Sequence, residues 1–326
     1  MTENNTIYGK TFLVTGGAGF IGSHITEYLV NNNAKKVIVI DNLSTGFLNN
    51  IEHLSGKHNF EFYLGDITNI ADCERVVTND VDVICHQAAL GSIPRSIENP
   101  LGTHNPNVNG FLNLLETARK QGVKRFIYAS SSSVYGDDLH LPKNENFIGK
   151  PLSPYALTKY IDELYAYIYS KLYNMECIGL RYFNVFGPRQ NPNGPYAAVI
   201  PKFIEIMLNG DNPTINGDGS FSRDFTFVEN VVNANINAMT TNNINCFGEN
   251  FNIGTGTTTS ILELHKLINT YLETTSEPLF GNVRVGDVPH SLADINKAKT
   301  LLCYAPAIDF RSGLYQTIIY SKANHL

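Results

Sequence analysis

A glycine-rich turn near the start of the chain constrains its fold more than any other feature. The turn TGGAGFIG, residues 15–22, follows the apolar run KTFLVTG and opens the amphipathic stretch GFIGSHITEYLVNN. Gly16, Gly19 and Gly22 let the backbone turn tightly, and the helix that follows adds partial positive charge at its first turn. The sequence therefore predicts a strand, a turn that binds an anionic group, and a helix.

Apolar runs alternate with amphipathic stretches through the rest of the first half. The stretch NGFLNLLETARKQG (109–122) has helical spacing that ends at Gly122. Further strands are predicted at KVIVIDN (36–42), FEFYLGDI (60–67), VDVICHQAA (81–89), KRFIYASS (124–131) and MECIGLRYFNVFG (175–187). Repeated β-α units of this kind predict an α/β fold with a Rossmann-type, doubly wound parallel sheet.

An acidic residue at the end of the second strand indicates which anion the turn binds. Asp41 would accept hydrogen bonds from the 2′- and 3′-hydroxyls of an adenosine ribose. Its carboxylate would repel a 2′-phosphate, and no arginine stands beside it. We therefore predict NAD rather than NADP, with the pyrophosphate on the glycine turn. Asp66 ends the third strand and could either reach the adenine or cap a surface turn.

The second half of the chain is more mixed and predicts a smaller α/β domain. Helices are predicted at VIPKFIEIMLNG and at TSILELHKLINTYLE (259–273). We assign residues 1–183 to an NAD-binding Rossmann domain and residues 184–326 to a substrate domain. The stretch 223–250 is expected to pack back on the first domain.

Charge and cysteine content exclude several classes of protein. The net charge is −6 and no basic stripe is present, so we expect no nucleic-acid partner and no anionic-membrane partner. No apolar stretch approaches the length of a membrane span, and the first residues do not resemble a signal peptide. The five cysteines are scattered without metal-ligand spacing, so neither a metal site nor disulfides are expected. A reducing cytoplasm fits this pattern best.

A tyrosine and a lysine lie one helical turn apart in the stretch PLSPYALTKY (151–160). Ser153 and Pro154 are suited to the N-cap and the first position of a helix, which would place Tyr155 and Lys159 on one face. A neighbouring ammonium group and an oxidised nicotinamide both favour the phenolate of a tyrosine. Such a phenolate could take a proton from an alcohol while a hydride leaves the same carbon. Alone, this pair is more often an ordinary surface pair.

The glycine turn, the serine-bearing strand end and the tyrosine–lysine pair together resemble the extended branch of the short-chain dehydrogenase/reductase superfamily. Longer segments narrow the likeness to bacterial UDP-N-acetylglucosamine 4-epimerases, and the resemblance covers essentially the whole chain. The segments that carry it are LGSIPRSIENP (90–100), SSSVYGD (131–137), PLSPYALTKY (151–160), LRYFNVFGPRQNPNGPYAAVIP (180–201), INGDGSFSRDF (215–225) and VRVGDVPHSLADINKA (283–298).

The resemblance implies roles for individual residues. The catalytic residues would be Ser131, Tyr155 and Lys159, with Ser131 bonding the sugar 4-hydroxyl and relaying its proton towards Tyr155. The cofactor would contact Gly16, Gly19, Phe20, Ile21, Gly22, Asp41, Asn42, Asp66, Ile67, Gln87, Tyr155, Lys159 and Tyr182. The UDP-sugar would contact Gly91, Ser92, Ser131, Ser132, Ser133, Asn184, Ala198, Val199, Arg223, Arg284, Asp287 and Ser291. Core packing explains Tyr182 equally well, and turn hydrogen bonding is the simpler interpretation of Ser130.

The resemblance also implies a reaction, which is oxidation of the sugar at carbon 4, rotation of the 4-keto sugar, and reduction from the other face. Related dehydratases and decarboxylases carry carboxylic acids where Ser132 and Ser133 stand, so elimination is disfavoured. Gly91, Ala198 and Ser291 match small residues beside carbon 2 and predict room for an N-acetyl group. The predicted substrate is therefore a UDP-N-acetylhexosamine.

Three alternatives remain open. The first is 4-epimerisation of UDP-N-acetylglucosaminuronate, for which Pro289 puts carboxylate binding in doubt because close relatives carry Lys or Arg there. The second is a nucleotide-sugar lyase, and the third is a non-catalytic NAD-sensing module. The resemblance finally implies a homodimer joined through helices near residues 107–121 and 155–173.

Overall fold

A computed structural model of the chain describes residues 7–194, 196–283 and 288–325. Its centre is a sheet of seven parallel strands in the order β11-β6-β5-β4-β1-β2-β3. These strands are β1 Thr11–Thr15, β2 Lys36–Asp41, β3 Phe60–Leu64, β4 Val83–His86, β5 Arg125–Ser131, β6 Glu176–Tyr182 and, later in the chain, β11 Glu249–Ile253. The predicted Rossmann-type doubly wound sheet is confirmed.

Helices cover both faces of the sheet, which explains why its strands are apolar without alternation. Phe12 and Val14 of β1 belong to one buried cluster, and Leu13 between them belongs to the cluster on the other face. The helices of this part are α1 Phe20–Asn31, α2 Ile70–Val76, α3 Ile93–Glu98, α4 Pro100–His104, α5 Phe111–Gln121 and α6 Pro154–Tyr173.

Local sequence signals set the ends of two of these helices as predicted. Gly122 follows α5 with φ of 78°, the left-handed conformation that favours glycine at a helix end. Ser153 precedes α6 and its Oγ accepts a hydrogen bond from Ala156 N–H at 3.1 Å, with Pro154 at the first helical position. The cap fixes where α6 begins, and with it the register of Tyr155 and Lys159.

The later part of the chain builds a smaller lobe and also returns to the large sheet. Its helices are α7 Val199–Leu208, α8 Val228–Thr240, α9 Ile261–Leu272, α10 Asn296–Leu302 and α11 Phe310–Asn324. Its short strands are β7 Val185–Phe186, β8 Thr214–Asn216, β9 Ser222–Arg223, β10 Thr226–Phe227, β12 Thr259–Ser260 and β13 Leu279–Gly281. α7, α9 and α11 share an apolar cluster that includes Phe203, Leu264 and Leu314.

α8 and β11 belong to the later part of the chain but pack in the first lobe. α8 lies against α1, where Val231 and Val232 join the same buried cluster as Ile25 and Leu29. β11 pairs with β6 as an edge strand of the sheet. β11 is not predicted from the sequence, because the stretch ENFNI is short and half polar. The sequence also predicts one strand over 175–187, whereas the structure breaks it after Tyr182 at Asn184, whose φ is 33°.

Candidate active site

A cavity of about 670 Å³ opens at the carboxyl ends of the sheet strands, between the two lobes. Gly16, Asp41, Asp66 and Gln87, which follow or end four of the strands, line one side. The loop before α7 lines the other side through Asn191, Asn193, Gly194 and Tyr196–Ala198. Crevices in this position are where open parallel sheets bind their ligands.

The glycine turn has the close packing that a dinucleotide pyrophosphate requires. Gly16 has φ of 66°, and a Cβ built on it would lie 2.7 Å from Ala88 N. A Cβ on Gly22 would lie 2.1 Å from the Gly16 carbonyl oxygen. α1 then begins at Phe20, and no described side chain caps its first N–H groups. These groups point their partial positive charge at the cavity, so the turn fits an anionic pyrophosphate.

The acidic residues at the next strand ends form the far end of the cavity. Asp41 Oδ2 accepts a hydrogen bond from Ala18 N–H at 2.9 Å, and its Oδ1 accepts one from Leu43 N–H at 2.8 Å. Burial raises the pKa of Asp41, and these hydrogen bonds partly oppose that shift. Asn42 Nδ2 donates to Asp66 Oδ2 at 2.9 Å. A carboxylate held in this way can accept hydrogen bonds from ribose hydroxyls, so these residues fit the adenosine half of NAD.

Tyr155 and Lys159 lie on α6 and both line the cavity. The Tyr155 hydroxyl faces Gly91, since a Cβ built on Gly91 would lie 3.9 Å from Tyr155 Oη. Lys159 is buried, and its Nζ lies 3.3 Å from Asp162 Oδ2. Burial raises the pKa of Asp162 to about 7, and the Lys159 charge opposes that shift. The two side chains therefore lie one helical turn apart on α6 and border the same cavity.

The serines after β5 are arranged around Ser131. Ser131 Oγ accepts a hydrogen bond from Ser133 N–H at 3.2 Å and another from Ser133 Oγ at 3.0 Å. Because both bonds are accepted, the Ser131 hydroxyl proton is available to a partner outside the turn. Among the described residues, Ser131, Ser132 and Ser133 are half-buried and lie outside the cavity lining.

Ser130 differs from its predicted role in turn hydrogen bonding. It is a buried residue of β5 that lines the cavity, and its Oγ donates to Glu163 Oε1 at 2.5 Å. Glu163 in turn receives two hydrogen bonds from Arg181, from Nε and from Nη2, each of 2.8 Å. The turn interpretation is wrong here because a buried acceptor from α6 lies within reach of the strand.

The structure brings every predicted cofactor residue into the cavity lining, but only three of the predicted sugar residues that it describes. Gly16, Gly19, Phe20, Ile21, Gly22, Asp41, Asn42, Asp66, Ile67, Gln87, Tyr155, Lys159 and Tyr182 all line the cavity, as do Gly91, Ser92 and Ala198. Other predicted residues lie beyond the lining. Val199 is the first residue of α7. Asn184 lies between β6 and β7, and its carbonyl oxygen accepts a hydrogen bond from Thr226 N–H at 3.2 Å.

Arg223 and Ser291 lie outside the cavity lining, on two backbone segments that are hydrogen-bonded to each other. Ser291 N–H donates to the Ser222 carbonyl at 3.0 Å, and Arg223 Nη1 donates to the Pro289 carbonyl at 3.0 Å. The backbone of residues 288–291 is thereby bound to β9. Arg284 and Asp287 lie outside the described residues.

Several cavity residues received no role from the sequence, and two of them, Arg95 and Tyr196, contact each other. Arg95 and Tyr196 both line the cavity, and the Arg95 guanidinium carbon lies 5.0 Å from the centre of the Tyr196 ring. Tyr196 Oη also donates to Glu98, which joins the loop before α7 to α3. Both residues fall within segments that carry the resemblance, so that likeness was the signal by which they could have been found.

Comparison with known proteins agrees with this arrangement. The sequence matches the NAD dependent epimerase/dehydratase family over residues 12–254. A putative UDP-glucose 4-epimerase of Methanocaldococcus jannaschii is 42% identical, over 96% of this chain and 99% of that protein. The UDP-N-acetylglucosamine 4-epimerase from Methanobrevibacter ruminantium M1, solved with UDP-N-acetylmuramic acid, is 38% identical. It has a TM-score of 0.92 and covers 97% of this chain and 99% of that chain.

A third similar structure was solved with a cofactor. The UDP-glucuronic acid 4-epimerase from Bacillus cereus, in complex with UDP-glucuronic acid and NAD, is 33% identical. Its TM-score is 0.89, and the match covers 97% of this chain and all of that chain, 100%.

The fold and the cavity define an extended short-chain dehydrogenase/reductase whose strand ends bind a dinucleotide. The chain belongs to the NAD dependent epimerase/dehydratase family, and NAD is its cofactor. None of the helices in the described ranges is both long enough and apolar enough to cross a lipid bilayer.

Proposed function

We propose that this enzyme is a 4-epimerase that interconverts UDP-N-acetylglucosamine and UDP-N-acetylgalactosamine. The observation that carries the proposal is the position of Tyr155 and Lys159 in the cavity of the glycine turn, with Gly91 facing the tyrosine hydroxyl. The class, a UDP-sugar 4-epimerase, is supported by the relatives that cover nearly the whole chain. Their names cover three different sugars, so the choice of sugar depends on the residues of this chain.

The proposed chemistry is an oxidation that is later reversed. NAD, when bound, accepts a hydride from a carbinol carbon and can return it. Tyr155 Oη takes the proton of the sugar 4-hydroxyl, and the Lys159 ammonium group stabilises the phenolate that does so. Ser131, whose oxygen already accepts two hydrogen bonds, donates a hydrogen bond to the sugar oxygen and keeps its own proton. The returning proton takes the same path after the keto sugar has rotated.

Serines rather than carboxylic acids at positions 132 and 133 support epimerisation over elimination. Loss of water from a 4-keto sugar needs an acid that protonates the departing hydroxyl, and the hydroxyls of Ser132 and Ser133 are far weaker acids than a carboxyl group. Reduction back to an alcohol is therefore the reaction that remains for the 4-keto sugar. A lyase activity would require an acid from another element.

Small residues support a substrate with an N-acetyl group. Gly91 has open space where a side chain would stand, with Tyr155 Oη at 3.9 Å as the nearest atom to a Cβ there. Ala198 also lines the cavity. Ser291 lies on the backbone segment bound to β9, and we propose that it borders the acetamido group. We further propose that residues 1–183 bind NAD and that residues 184–326, including Asn184, Val199, Arg223, Arg284 and Asp287, bind the UDP-sugar.

The uronic acid is the second candidate substrate, and one comparison favours it. The Bacillus cereus enzyme, whose sequence is 33% identical to this chain, is a UDP-glucuronic acid 4-epimerase that was solved with UDP-glucuronic acid bound. Pro289 offers no charge to a sugar carboxylate, and its carbonyl already accepts hydrogen bonds from Ser222 N–H and Arg223. We therefore rank the neutral N-acetylhexosamine first.

We also propose that the enzyme works as a homodimer joined along α6. This helix exposes Leu157 at 48%, Leu164 at 48% and Leu172 at 67% of their surface, and Leu101 on α4 is 81% exposed. Apolar side chains in such a row favour burial against a second copy of the chain.

The test is to incubate the purified enzyme separately with UDP-N-acetylglucosamine and UDP-N-acetylglucosaminuronate and to follow carbon-4 inversion by NMR. The proposal expects conversion of the first at a kcat/KM at least tenfold above that of the second. Faster conversion of the uronic acid would reverse the ranking of the two candidate substrates. A 6-deoxy-4-keto product or released carbon dioxide would overturn the epimerase assignment.

A further inference from the structure

Three polar side chains form a closed ring of hydrogen bonds behind the cavity wall. Asn235 lies on α8, Tyr182 ends β6 and Gln87 follows β4. Asn235 Nδ2 donates to Tyr182 Oη at 2.8 Å, and Tyr182 Oη donates to Gln87 Oε1 at 3.0 Å. Gln87 Nε2 donates to Asn235 Oδ1 at 3.1 Å, which closes the ring. Elements that are far apart in the sequence are thus bound to one another at a single point.

A backbone carbonyl determines the direction of every bond in this ring. The Asn235 side chain lies 2.8 Å from the Val231 carbonyl oxygen, which can only accept, so the nearer atom must be the amide nitrogen. Asn235 Oδ1 then faces Gln87, which must present its NH₂ group. The oxygen of Gln87 is left facing Tyr182, whose hydroxyl donates to it at 3.0 Å and has Asn235 Oδ1 as a second acceptor at 3.2 Å. Each of the three groups both donates and accepts.

Burial keeps this ring neutral. Asn235 is completely buried, Tyr182 is 8% exposed, and burial raises the pKa of the Tyr182 phenol far above its usual range. Tyr182 therefore stays protonated where Tyr155 is proposed to lose its proton, although both line the same cavity. Removing Asn235 would take a donor from Tyr182 Oη and would leave Gln87 Nε2 with only its 3.4 Å contact to Cys85 Sγ, and polar groups that lose partners in this way reorient or admit water.

The ring borders the part of the cavity that holds Tyr155 and Lys159, and it also adjoins the wall beside the glycine turn. Tyr182 and Gln87 line the cavity together with Tyr155 and Lys159, whereas Asn235 supports them from behind. Gln87 also directly precedes Ala88, the residue whose backbone nitrogen fills the space beside Gly16. A shift of Gln87 would consequently move the wall against which the glycine turn packs.

We propose that Asn235 is a positioning residue that holds Gln87 and Tyr182 as one rigid wall of the NAD cavity and so keeps the dinucleotide bound through turnover. An epimerase that uses its cofactor twice in one cycle gains from slow release of that cofactor. The proposal rests on NAD dependence and not on which sugar is converted, so its failure would leave the proposed function intact.

The experiment compares Asn235→Ala, Asn235→Asp and Asn237→Ala in the full chain. Asn237 is the matched control, because it lies on the same helix but donates to the Cys303 carbonyl at the exposed side, at 3.3 Å. The dissociation rate of NAD is measured by rapid dilution, NAD content is measured after gel filtration, and the fluorescence of protein-bound NADH is recorded. The affinity for UDP is measured beside them, because the proposal leaves it unchanged.

We expect both Asn235 variants to release NAD at least tenfold faster and to change the emission of bound NADH, whereas Asn237→Ala behaves as the unchanged protein. Asn235→Asp keeps the side-chain volume and replaces the amide donor with a carboxyl oxygen, so it answers the question if the alanine variant does not fold. Tyr182→Phe should also speed the release of NAD. Adding Asn235→Ala to Tyr182→Phe should raise the release rate by a smaller factor than Asn235→Ala does alone. Unchanged NAD release and NADH emission in Asn235→Asp or in Tyr182→Phe would overturn the proposal.

Discussion

The buried pair of Glu163 and Arg181 gives the sharpest test of how the active-site helix is held. Glu163 lies one turn after Lys159 on α6 and is 3% exposed, and Arg181 on β6 is 2% exposed. Two hydrogen bonds of 2.8 Å join them, and Arg181 Nη1 also donates to Tyr135 Oη at 3.0 Å. Changing Glu163→Ala would leave the guanidinium charge buried without its counterion.

The expected loss follows from that burial. Removing one partner of a buried ion pair costs about 3–5 kcal/mol, because the remaining charge stays out of water. Ser130 would also lose its acceptor, which adds about 1 kcal/mol. We therefore expect Glu163→Ala to lower the free energy of unfolding by about 4–6 kcal/mol, by summing those two contributions. The double variant Glu163→Met with Arg181→Met should recover a large part of it, since it removes both charges.

The assay is equilibrium unfolding in urea, followed by circular dichroism at constant m-value. The control is Glu116→Ala on α5, where Arg119 makes the same two-point contact at 2.8 and 2.7 Å but at the surface. Water can rehydrate Arg119, so the control should lose far less stability. A loss in Glu163→Ala no larger than the loss in Glu116→Ala would refute the reasoning.

Three further changes test other parts of the site. Tyr155→Phe should lower kcat by about 10²–10⁴-fold in a coupled epimerase assay while NAD content stays unchanged, and full activity would exclude Tyr155 as the base. Between about pH 4 and 7 the folded chain keeps a proton on Asp162 that the unfolded chain releases. Stability should therefore fall as pH rises across this window, by up to about 1.4 kcal/mol per pH unit, in urea titrations. Asp162→Asn should remove that slope, and an unchanged slope would contradict the assignment. Gly22→Ala should abolish NAD retention on gel filtration, since its Cβ would lie 2.1 Å from the Gly16 carbonyl oxygen; a variant that retained NAD would show that the turn can relax.

The sequence predicted those features whose determinants are close together in the chain. The glycine turn, Asp41 at the end of β2 and the cap of α6 each depend on a few neighbouring residues, and the structure has all three as local units. The joint position of Tyr155 and the glycine turn in one cavity also follows from the topology of a parallel sheet.

Contacts between distant segments could not be predicted in this way. Asn235 meets Gln87 across 148 residues, and nothing near either residue marks the other as its partner. The strand β11 depends on the open edge of β6 rather than on its own composition. Ser130 and Ser131 illustrate a further limit, because neighbouring residues of a strand face opposite sides and the sequence alone does not say which one meets the cavity.

The central claim is that one hydride leaves carbon 4 of the sugar and returns to the same carbon inside a closed site. The most direct measurement uses UDP-N-acetylglucosamine that carries deuterium at carbon 4, incubated in ordinary water and analysed by NMR and mass spectrometry. The account predicts that the galacto product keeps the deuterium at carbon 4 and that no free NADH accumulates. Loss of the deuterium to solvent, or NADH released in step with product, would contradict it.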